Sequence, residues 1–392
     1  MSINKKTFCV APWFGLYLDS DKTISPCCEY KESHHHYNQI EEYFHSDSLN
    51  RLREDLLNGV KNTNCDSCWR AEEQGVDSLR LISNRTIGMN NDTRLMDQVK
   101  NPKLSNVKSF ELTLGNLCNL KCVMCHPGLS SQLLAEVELN ASLKPRYASR
   151  YNPTHTQKDF DWPKAQDFVD WCDRYLPQAI HIKFTGGEPF IIPWLHDAIK
   201  KIPAQQKKKC ILHFTTNLTL MNQNILDYFK EFKEVWLSVS VEGHGTTHEY
   251  LRFGHSWETL EKNITHIIGS ESGNLRLSIN HVIQAPSYHS IMDMVAFFDK
   301  LQIQIHPIIL TRPEWYSLSA LTTKSKTQFI EATKNYNGHN REFVEVVKNA
   351  SKSQMKQDIG LTKKLLSDLS ALDTVRKNSY KKIIPDHHIS IE

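Results

Sequence analysis

From about residue 107 onward, the chain alternates between short apolar strands and amphipathic helices. The strand-like runs are rich in β-branched residues and read SFELTLG, IHIKFTGG, ILHFTTN, EVWLSVSVEG, LRLSINHVI and QIQIHPIIL. Segments with helical periodicity, such as NILDYFKEFK and IMDMVAFFDKL, separate them. About six β–α units in series predict parallel strands joined by right-handed crossovers. The fold is therefore expected to be α/β, with either a doubly wound or a barrel-type sheet.

Charge and hydropathy argue against several classes of protein. The 47 basic residues are balanced by 44 acidic ones, which argues neither for nor against nucleic-acid binding, and we expect no nucleic-acid partner. The N-terminal run FCVAPWFGLYL is broken by Pro12 and closed by Asp19, which is too short for a signal or a membrane span. We therefore expect a cytoplasmic protein with no membrane partner. In that reducing compartment, clustered cysteines favour metal binding over disulfides.

Three of the ten cysteines lie within eight residues of the segment LGNLCNLKCVMCHPG, at Cys118, Cys122 and Cys125. Thiolates are the ligands of iron–sulfur clusters, and three of them leave one iron of a four-iron cluster without a protein ligand. An open coordination position is typical of a metal centre that binds substrate. The alternative is a zinc site with His126 as the fourth ligand. His126 adjoins Cys125 directly, which makes a tetrahedral site using both side chains awkward.

The spacing C-x3-C-x2-C after the first barrel strand resembles the signature of radical S-adenosylmethionine (radical SAM) enzymes. This resemblance implies a catalytic [4Fe–4S] cluster on Cys118, Cys122 and Cys125, with SAM bound at the open iron. It also implies a partial (β/α)6 TIM-type barrel. The sequence departs from the family at Met124, where an aromatic residue is common.

Further motifs follow in the order that this family shows. FTGGEPF resembles the GGEP motif that meets the SAM amino group, and its two glycines permit close backbone approach at a strand end. Polar residues after the later strands match positions that contact SAM in relatives, at the strand ends where barrel enzymes build their sites. The residues expected to bind SAM are Thr185, Gly186, Gly187, Glu188, Asn217, Ser240, Glu242 and Arg252.

Five further cysteines lie in the first 68 residues, at Cys9, Cys27, Cys28, Cys65 and Cys68. Four ligands close a metal site, so a centre here would be structural or electron-transferring. The order of PW, PCC, a serine-led helix and C-x2-C resembles the auxiliary-cluster domains called SPASM and twitch, which usually follow the barrel. The resemblance implies one auxiliary [4Fe–4S] cluster on Cys9, Cys27, Cys65 and Cys68. Cys28 is the alternative to Cys27, and a zinc knuckle is the alternative to the cluster.

Two local features give simpler predictions. The segment SDSLNRLREDLLNG predicts a helix that is capped by Ser46 or Asp47 and ended by Gly59. Cys172 and Cys210 stand alone in apolar patterns, so we expect them to be small buried side chains.

The predicted organisation has four parts: an auxiliary-cluster domain over 1–80, a linker over 81–106, the barrel over 107–310 and a helical C-terminal extension over 311–392. We expect an enzyme that forms a 5′-deoxyadenosyl radical and abstracts hydrogen from a peptide. A small metabolite such as a sugar or nucleoside is the alternative substrate, and a flavodoxin or ferredoxin is the expected reductant. The alternative from another class is a non-catalytic zinc-stapled binding protein.

Overall fold

The computed structural model describes residues 4, 6–32, 35–73, 75, 77–87, 93–148, 151–152, 154–193, 195–270, 273–310 and 312–390. The chain forms two compact units. Unit 1 comprises Met1–Leu117, Gln157–Phe214 and Phe229–Val235, and unit 2 comprises Cys118–Thr156, Thr215–Tyr228 and Trp236–Glu392. Residues 88–92 of the predicted linker lie outside the described residues.

The strands fall where the apolar runs predict them, with three additional strands near the N-terminus. In chain order they are β1 (Gly15–Leu18), β2 (Thr23–Ser25), β3 (His35–His36), β4 (Ser109–Thr113), β5 (His181–Thr185), β6 (Ile211–Thr216), β7 (Glu234–Ser240), β8 (Leu275–Ile283) and β9 (Gln304–Ile309). The helices that follow and separate them are α1 (Ala11–Phe14), α2 (Ile40–Phe44), α3 (Asp47–Leu57), α4 (Asp66–Glu73), α5 (Leu79–Thr86), α6 (Thr93–Lys100), α7 (Ser131–Leu139), α8 (Lys144–Tyr147), α9 (Gln157–Phe160), α10 (Gln166–Tyr175), α11 (Leu195–Lys200), α12 (Ala204–Lys207), α13 (Gln223–Phe229), α14 (Thr246–Leu251), α15 (Trp257–Ile268), α16 (Ile291–Lys300), α17 (Thr323–Ala332), α18 (Arg341–Ser353), α19 (Ile359–Arg376) and α20 (Asp386–Ile389).

The sheet of unit 1 runs in the order β3-β2-β1-β4-β5-β6. Strands β1, β4, β5 and β6 are parallel to one another in that order, and β2 and β3 extend the sheet beyond β1 in antiparallel pairs. Side chains alternate along β4, so that Phe110 and Leu112 are buried whereas Ser109 and Glu111 are half-buried on the other face. The first strand of the segment predicted as a separate domain therefore pairs directly with the first predicted barrel strand.

Unit 2 contains the rest of β7, which starts in unit 1, followed by β8 and β9 in that order. Strands β8 and β9 are parallel, in the register Ile279 to Ile305. The α/β class with parallel strands is confirmed, while closure into a partial (β/α)6 barrel stays a prediction. In the part of the chain that the structure describes, no helix has both the length and the apolar composition to cross a membrane.

The simpler local predictions are confirmed. The side chain of Ser46 accepts a hydrogen bond from the Leu49 backbone at 3.4 Å and caps α3, and Gly59 just beyond the helix has a φ of 83°. Cys172 and Cys210 are both buried, with exposed fractions of 4% and 0%.

Candidate active site

The cysteine loop after β4 has little regular structure, and contacts with the segment after α14 hold its backbone. The Lys121 amide donates to the Phe253 carbonyl at 2.9 Å, and the Val123 amide donates to the Leu251 carbonyl at 2.7 Å. The Ser130 hydroxyl donates to the Leu120 carbonyl at 2.6 Å. These bonds satisfy backbone groups that an irregular buried loop would otherwise leave unpaired.

The three cysteines of this loop sit in an apolar cluster. Cys118 and Cys122 are buried beside Leu120, and Met124 and Cys125 pack against this group. Among the described residues, no three His, Cys, Asp or Glu side chains converge as ligands of a single metal ion. A [4Fe–4S] cluster binds each cysteine through a different iron, so its ligands need not converge on one point.

Arg252 links the cysteine loop to Glu242. Its Nη1 donates to Cys122 Sγ at 3.7 Å, and its Nη2 donates to Glu242 Oε1 at 3.4 Å. Burial raises the pKa of the Cys122 thiol, and the positive charge of Arg252 opposes that rise. The structure therefore brings the predicted residues Cys122 and Glu242 together around Arg252, whose positive charge partly offsets the effect of burial on the Cys122 thiol.

Glu242 is held from strand β8. Its Oε2 accepts from the Val282 amide at 3.2 Å and from Gln284 Nε2 at 3.1 Å. Burial raises the pKa of Glu242 to about 7, against the lowering effect of Arg252. Gln284 was not predicted from the sequence, although its position immediately after β8 matches the strand-end rule that identified the other candidates.

Two polar atoms at this site are buried without a hydrogen-bond partner among the described residues. They are the donor Arg252 Nε and the acceptor Gln284 Oε1. Buried polar groups are normally paired, so such atoms point to a missing ligand. A ligand that presents a carboxylate to the guanidinium and a hydroxyl or ammonium to the amide would satisfy both. SAM carries all of these groups, so these residues fit it.

Asn217 lies in unit 2 with the cysteine loop, but its amide is already engaged. Its Nδ2 donates to Asn119 Oδ1 at 2.9 Å, and its Oδ1 accepts from the Thr219 amide at 2.9 Å. The structure thus gives Asn217 a part in fixing the loop, and direct contact with SAM stays a prediction. Ser240 is the half-buried last residue of β7.

The predicted GGEP segment lies in unit 1, where Thr185 ends β5. A Cβ at Gly187 would lie 2.2 Å from the Leu117 carbonyl oxygen, and its φ is 54°. Gly186 also has a positive φ, of 71°. The buried Glu188 donates its backbone N–H to the Leu117 carbonyl at 2.8 Å, and its carboxylate accepts from the Phe190 amide at 3.2 Å. Gly187 is therefore required by close approach to the backbone just before Cys118, and Gly186 is favoured by its left-handed backbone conformation.

Helix α19 helps to hold the cysteine loop in place through Arg146. The sequence did not indicate this contact. The buried Arg146 donates to the Val123 carbonyl and forms an ion pair with Asp368 of α19. Tyr316 donates to the same carboxylate at 2.7 Å. Arg146, whose guanidinium is held by the Asp368 carboxylate, therefore fixes the carbonyl of Val123, which lies between Cys122 and Cys125.

A second network joins the end of α19 to the same loop. Arg376 forms two hydrogen bonds with Glu136, at 3.2 and 2.8 Å, and Lys121 pairs with the same carboxylate at 2.9 Å. The Arg376 guanidinium also lies 4.9 Å from the ring centroid of Phe253, next to Arg252 in the chain. Residues far apart in sequence therefore position both the cysteine loop and its arginine.

Four of the five N-terminal cysteines line one cavity within unit 1. They are Cys9, Cys27, Cys65 and Cys68. Trp69, Leu56 and Arg80 also line it. The structure thus gathers the four positions named as auxiliary ligands from a span of some sixty residues.

Cys28 does not line this cavity. Cys28 is exposed, and its thiol interacts with Glu111 of β4 and the nearby Lys183 of β5. Glu111 and Lys183 form an ion pair at 2.7 Å. Of the two alternatives at this position, Cys27 is the residue that faces the other cysteines.

Arg80 is the cation beside the N-terminal cavity. Its Nη1 donates to the Phe8 carbonyl at 2.8 Å, and Nε and Nη2 form a bidentate pair with Glu72. Burial raises the pKa of Cys9 to about 12, and Arg80 acts in the opposite direction. Four thiols that line one cavity beside a fixed guanidinium are a donor set that fits a thiolate-bound group.

Comparison with known proteins gives one family match for part of the chain. Residues 112–285, less than half of the chain, match the sequence model of the Radical SAM superfamily. This match supports the predicted radical SAM domain, and the prediction of an enzyme is confirmed. No curated protein matches the chain.

Several solved structures resemble the chain at low identity. SuiB of Streptococcus suis bound to S-adenosylmethionine is 14% identical, with a TM-score of 0.38, and the match covers 77% of this chain and 60% of SuiB. SuiB bound to the precursor peptide SuiA is 14% identical, with a TM-score of 0.39, over 71% of this chain and 61% of that chain. Native anSMEcpe with bound AdoMet is 16% identical, with a TM-score of 0.35, over 58% of each chain. The chain spans about three fifths of the length of these proteins.

Proposed function

We propose that the chain is a radical SAM enzyme whose catalytic cluster is held by Cys118, Cys122 and Cys125. The observation that carries this proposal is Arg252, which contacts both Cys122 and Glu242 and keeps a buried Nε without a partner. When bound, the cluster would supply the electron that cleaves SAM to a 5′-deoxyadenosyl radical, which abstracts hydrogen from the substrate.

The protein's own residues orient SAM and exclude water. Arg252 would pair with the SAM carboxylate, and Gln284 Oε1 would accept from a hydroxyl or ammonium of the same molecule. Thr185, Gly186, Gly187, Glu188, Asn217, Ser240 and Glu242 remain proposed SAM contacts from the sequence. The apolar packing of Leu120 and Met124 beside the cysteines would keep water from the thiolates.

We also propose one auxiliary [4Fe–4S] cluster on Cys9, Cys27, Cys65 and Cys68, and a peptide as the substrate. The cavity shared by these cysteines supports the auxiliary centre. The substrate proposal rests on the resemblance to peptide-modifying enzymes with auxiliary clusters, and a small metabolite is the alternative. A precursor-peptide gene beside this one would favour the peptide, and sugar or nucleotide genes would favour the metabolite.

The decisive experiment is SAM cleavage by the anaerobically reconstituted chain. With dithionite or a flavodoxin as reductant, the wild type should form 5′-deoxyadenosine, and Cys122→Ala should not. Cys210→Ala is the matched control, since Cys210 is also buried but lies outside the site, and it should retain cleavage. Product formation by Cys122→Ala would mean that the cluster assignment is wrong.

Metal content separates the proposal from a zinc-stapled binding protein. Two four-iron clusters predict about eight irons per chain with brown charge-transfer absorption. Zinc without iron after anaerobic purification would favour the binding protein instead.

A further inference from the structure

A second cavity in unit 2 lies outside the residues assigned to SAM. It has a volume of about 480 Å³ and is lined by residues of α14, of the segment after it and of the chain beyond α19. Among them are Glu249, Phe253, His255 and Lys382. Small-molecule sites typically have volumes of about 300–1,000 Å³ and contain a few polar groups on an apolar wall.

A chain of hydrogen bonds fixes the proton positions of two buried histidines beside this cavity. The Glu242 backbone N–H donates to His248 Nδ1 at 3.4 Å, so that nitrogen is an acceptor. Burial lowers the pKa of both His248 and His255, so both rings are neutral. The proton of His248 is therefore on Nε2, which lies 3.1 Å from His255 Nδ1 and donates to it.

It follows that His255 carries its own proton on Nε2. That N–H has no acceptor among the described residues, although His255 is only 4% exposed. A buried donor without an acceptor is unfavourable, so an oxygen from a bound molecule is a natural partner. His255 is also among the residues that line the cavity.

The charges of the cavity indicate the class of ligand. Lys382 contributes an ammonium group, one of whose hydrogens is used by Asn378 Oδ1 at 3.3 Å. Glu249 also lines the cavity and accepts from the Trp257 amide at 2.9 Å, and its carboxylate disfavours an anion placed next to it. We propose that this cavity binds a small oxyanion, a carboxylate or a phosphate, through His255 Nε2–H and the Lys382 ammonium.

Such binding would be linked to SAM, because the histidine chain ends on the backbone of Glu242. An acceptor at His255 polarises the chain and strengthens the bond from Glu242 to His248. Glu242 in turn pairs with Arg252. This linkage rests on the proposed function, whereas oxyanion binding does not.

Calorimetric titration of the reconstituted full chain tests the binding. Inorganic phosphate and succinate serve as separate probes, and the one that binds more tightly identifies the anion. His255→Leu and the surface variant Lys382→Ala should each weaken binding about tenfold or more. Lys381→Ala is the matched control, because the neighbouring Lys381 does not line the cavity, and it should bind like wild type. Absence of binding of either probe to the wild type, or unchanged binding by Lys382→Ala, overturns the proposal.

A second titration tests the linkage. The dissociation constant of SAM should change in the presence of saturating probe, and the probe's own constant should change by the same factor when SAM is present. An unchanged SAM constant with intact probe binding overturns the linkage alone. Failure of the chain to bind SAM at all counts against the proposed function and leaves the probe titration to decide the oxyanion site.

Discussion

The two cysteine sites of this protein are built in opposite ways. Cys118, Cys122 and Cys125 are close in sequence, yet Arg252, Arg146 and α19 hold their loop from far along the chain. The four N-terminal cysteines are spread over residues 9–68, yet their cavity is lined by nearby elements of the same segment, including Arg80 of α5.

This contrast suggests that the two cysteine sites have different roles. A loop held from several distant elements can be placed accurately beside other binding groups, which a substrate-activating centre needs. A site whose lining residues all come from one segment needs no distant elements to position it. Such a site suffices for a structural or electron-transferring centre. The loop has three cysteines beside Arg252 and the fully buried carboxylate of Glu242, whereas the N-terminal cavity has four cysteines beside Arg80, whose partner Glu72 is only partly buried.

The largest expected effect is the loss of one cluster while the other is retained, which would sharpen this contrast. Cys27→Ser should lower the iron content from about eight to about four per chain while SAM cleavage continues. Iron analysis and 5′-deoxyadenosine assays of the same sample measure both quantities.

Cys28→Ser is the matched control, because Cys28 faces Glu111 and not the cavity, and it should keep about eight irons. Iron loss in Cys28→Ser with none in Cys27→Ser would reverse the ligand assignment. Loss of SAM cleavage in Cys27→Ser would show that the two sites do not work separately.

A smaller effect concerns the carboxylate that distinguishes the catalytic loop. Burial raises the pKa of Glu242 from 4.5 to about 7, so the folded chain binds its proton more tightly than the unfolded chain. This contribution to stability is fully present below about pH 4.5 and is lost as the pH rises through about 7, an effect of about 3 kcal/mol.

Denaturant titrations at about pH 5 and about pH 8 measure this contribution. Wild type should lose about 2.5 kcal/mol more unfolding free energy between these conditions than Glu242→Gln. Glu331→Gln, whose carboxylate is largely exposed, should behave like wild type. Parallel profiles for wild type and Glu242→Gln would contradict the burial of an ionisable Glu242.

The smallest predicted effect tests the guanidinium shape of Arg252. Arg252→Lys keeps the positive charge but loses the fork that reaches Cys122 and Glu242 together. SAM binding should weaken about tenfold, or about 1.4 kcal/mol, with unchanged iron content. Equilibrium binding of SAM measures this, with the exposed Arg276→Lys as control. Wild-type affinity in Arg252→Lys would leave the guanidinium without a specific role.

Much of the fold could be predicted because strand and helix periodicities are local. The runs around β4, β5 and β8 contain the observed strands, and Ser46 caps α3 as expected. The pairing of β1 with β4 could not be predicted, because a four-residue strand carries no signal of which distant strand it will join.

The same reasoning explains which site residues were found. Glu242 and Arg252 were named because the motifs occur in a familiar order, and the structure brings them together. The expected strand-end position is wrong for Arg252, which lies at the C-terminal end of α14. Asp368 and Arg376 were missed, because their partners Arg146 and Glu136 lie more than 200 residues away. A charged residue in a polar helical pattern is ordinarily a solvated one, so only the tertiary structure identifies these two as buried.

The pairing of β1 with β4 also bears on how the chain is made. Tyr17 pairs with Glu111, so β1 leaves the ribosome well before its parallel neighbour exists. At ordinary rates of synthesis this delay is roughly 5–20 s. During this delay, β1 is paired with β2 on one side and has an unpaired edge on the other. Such edges can pair with strands of other chains. A fragment ending near residue 80 would keep that edge permanently, so we expect it to self-associate even with all of its cysteines intact.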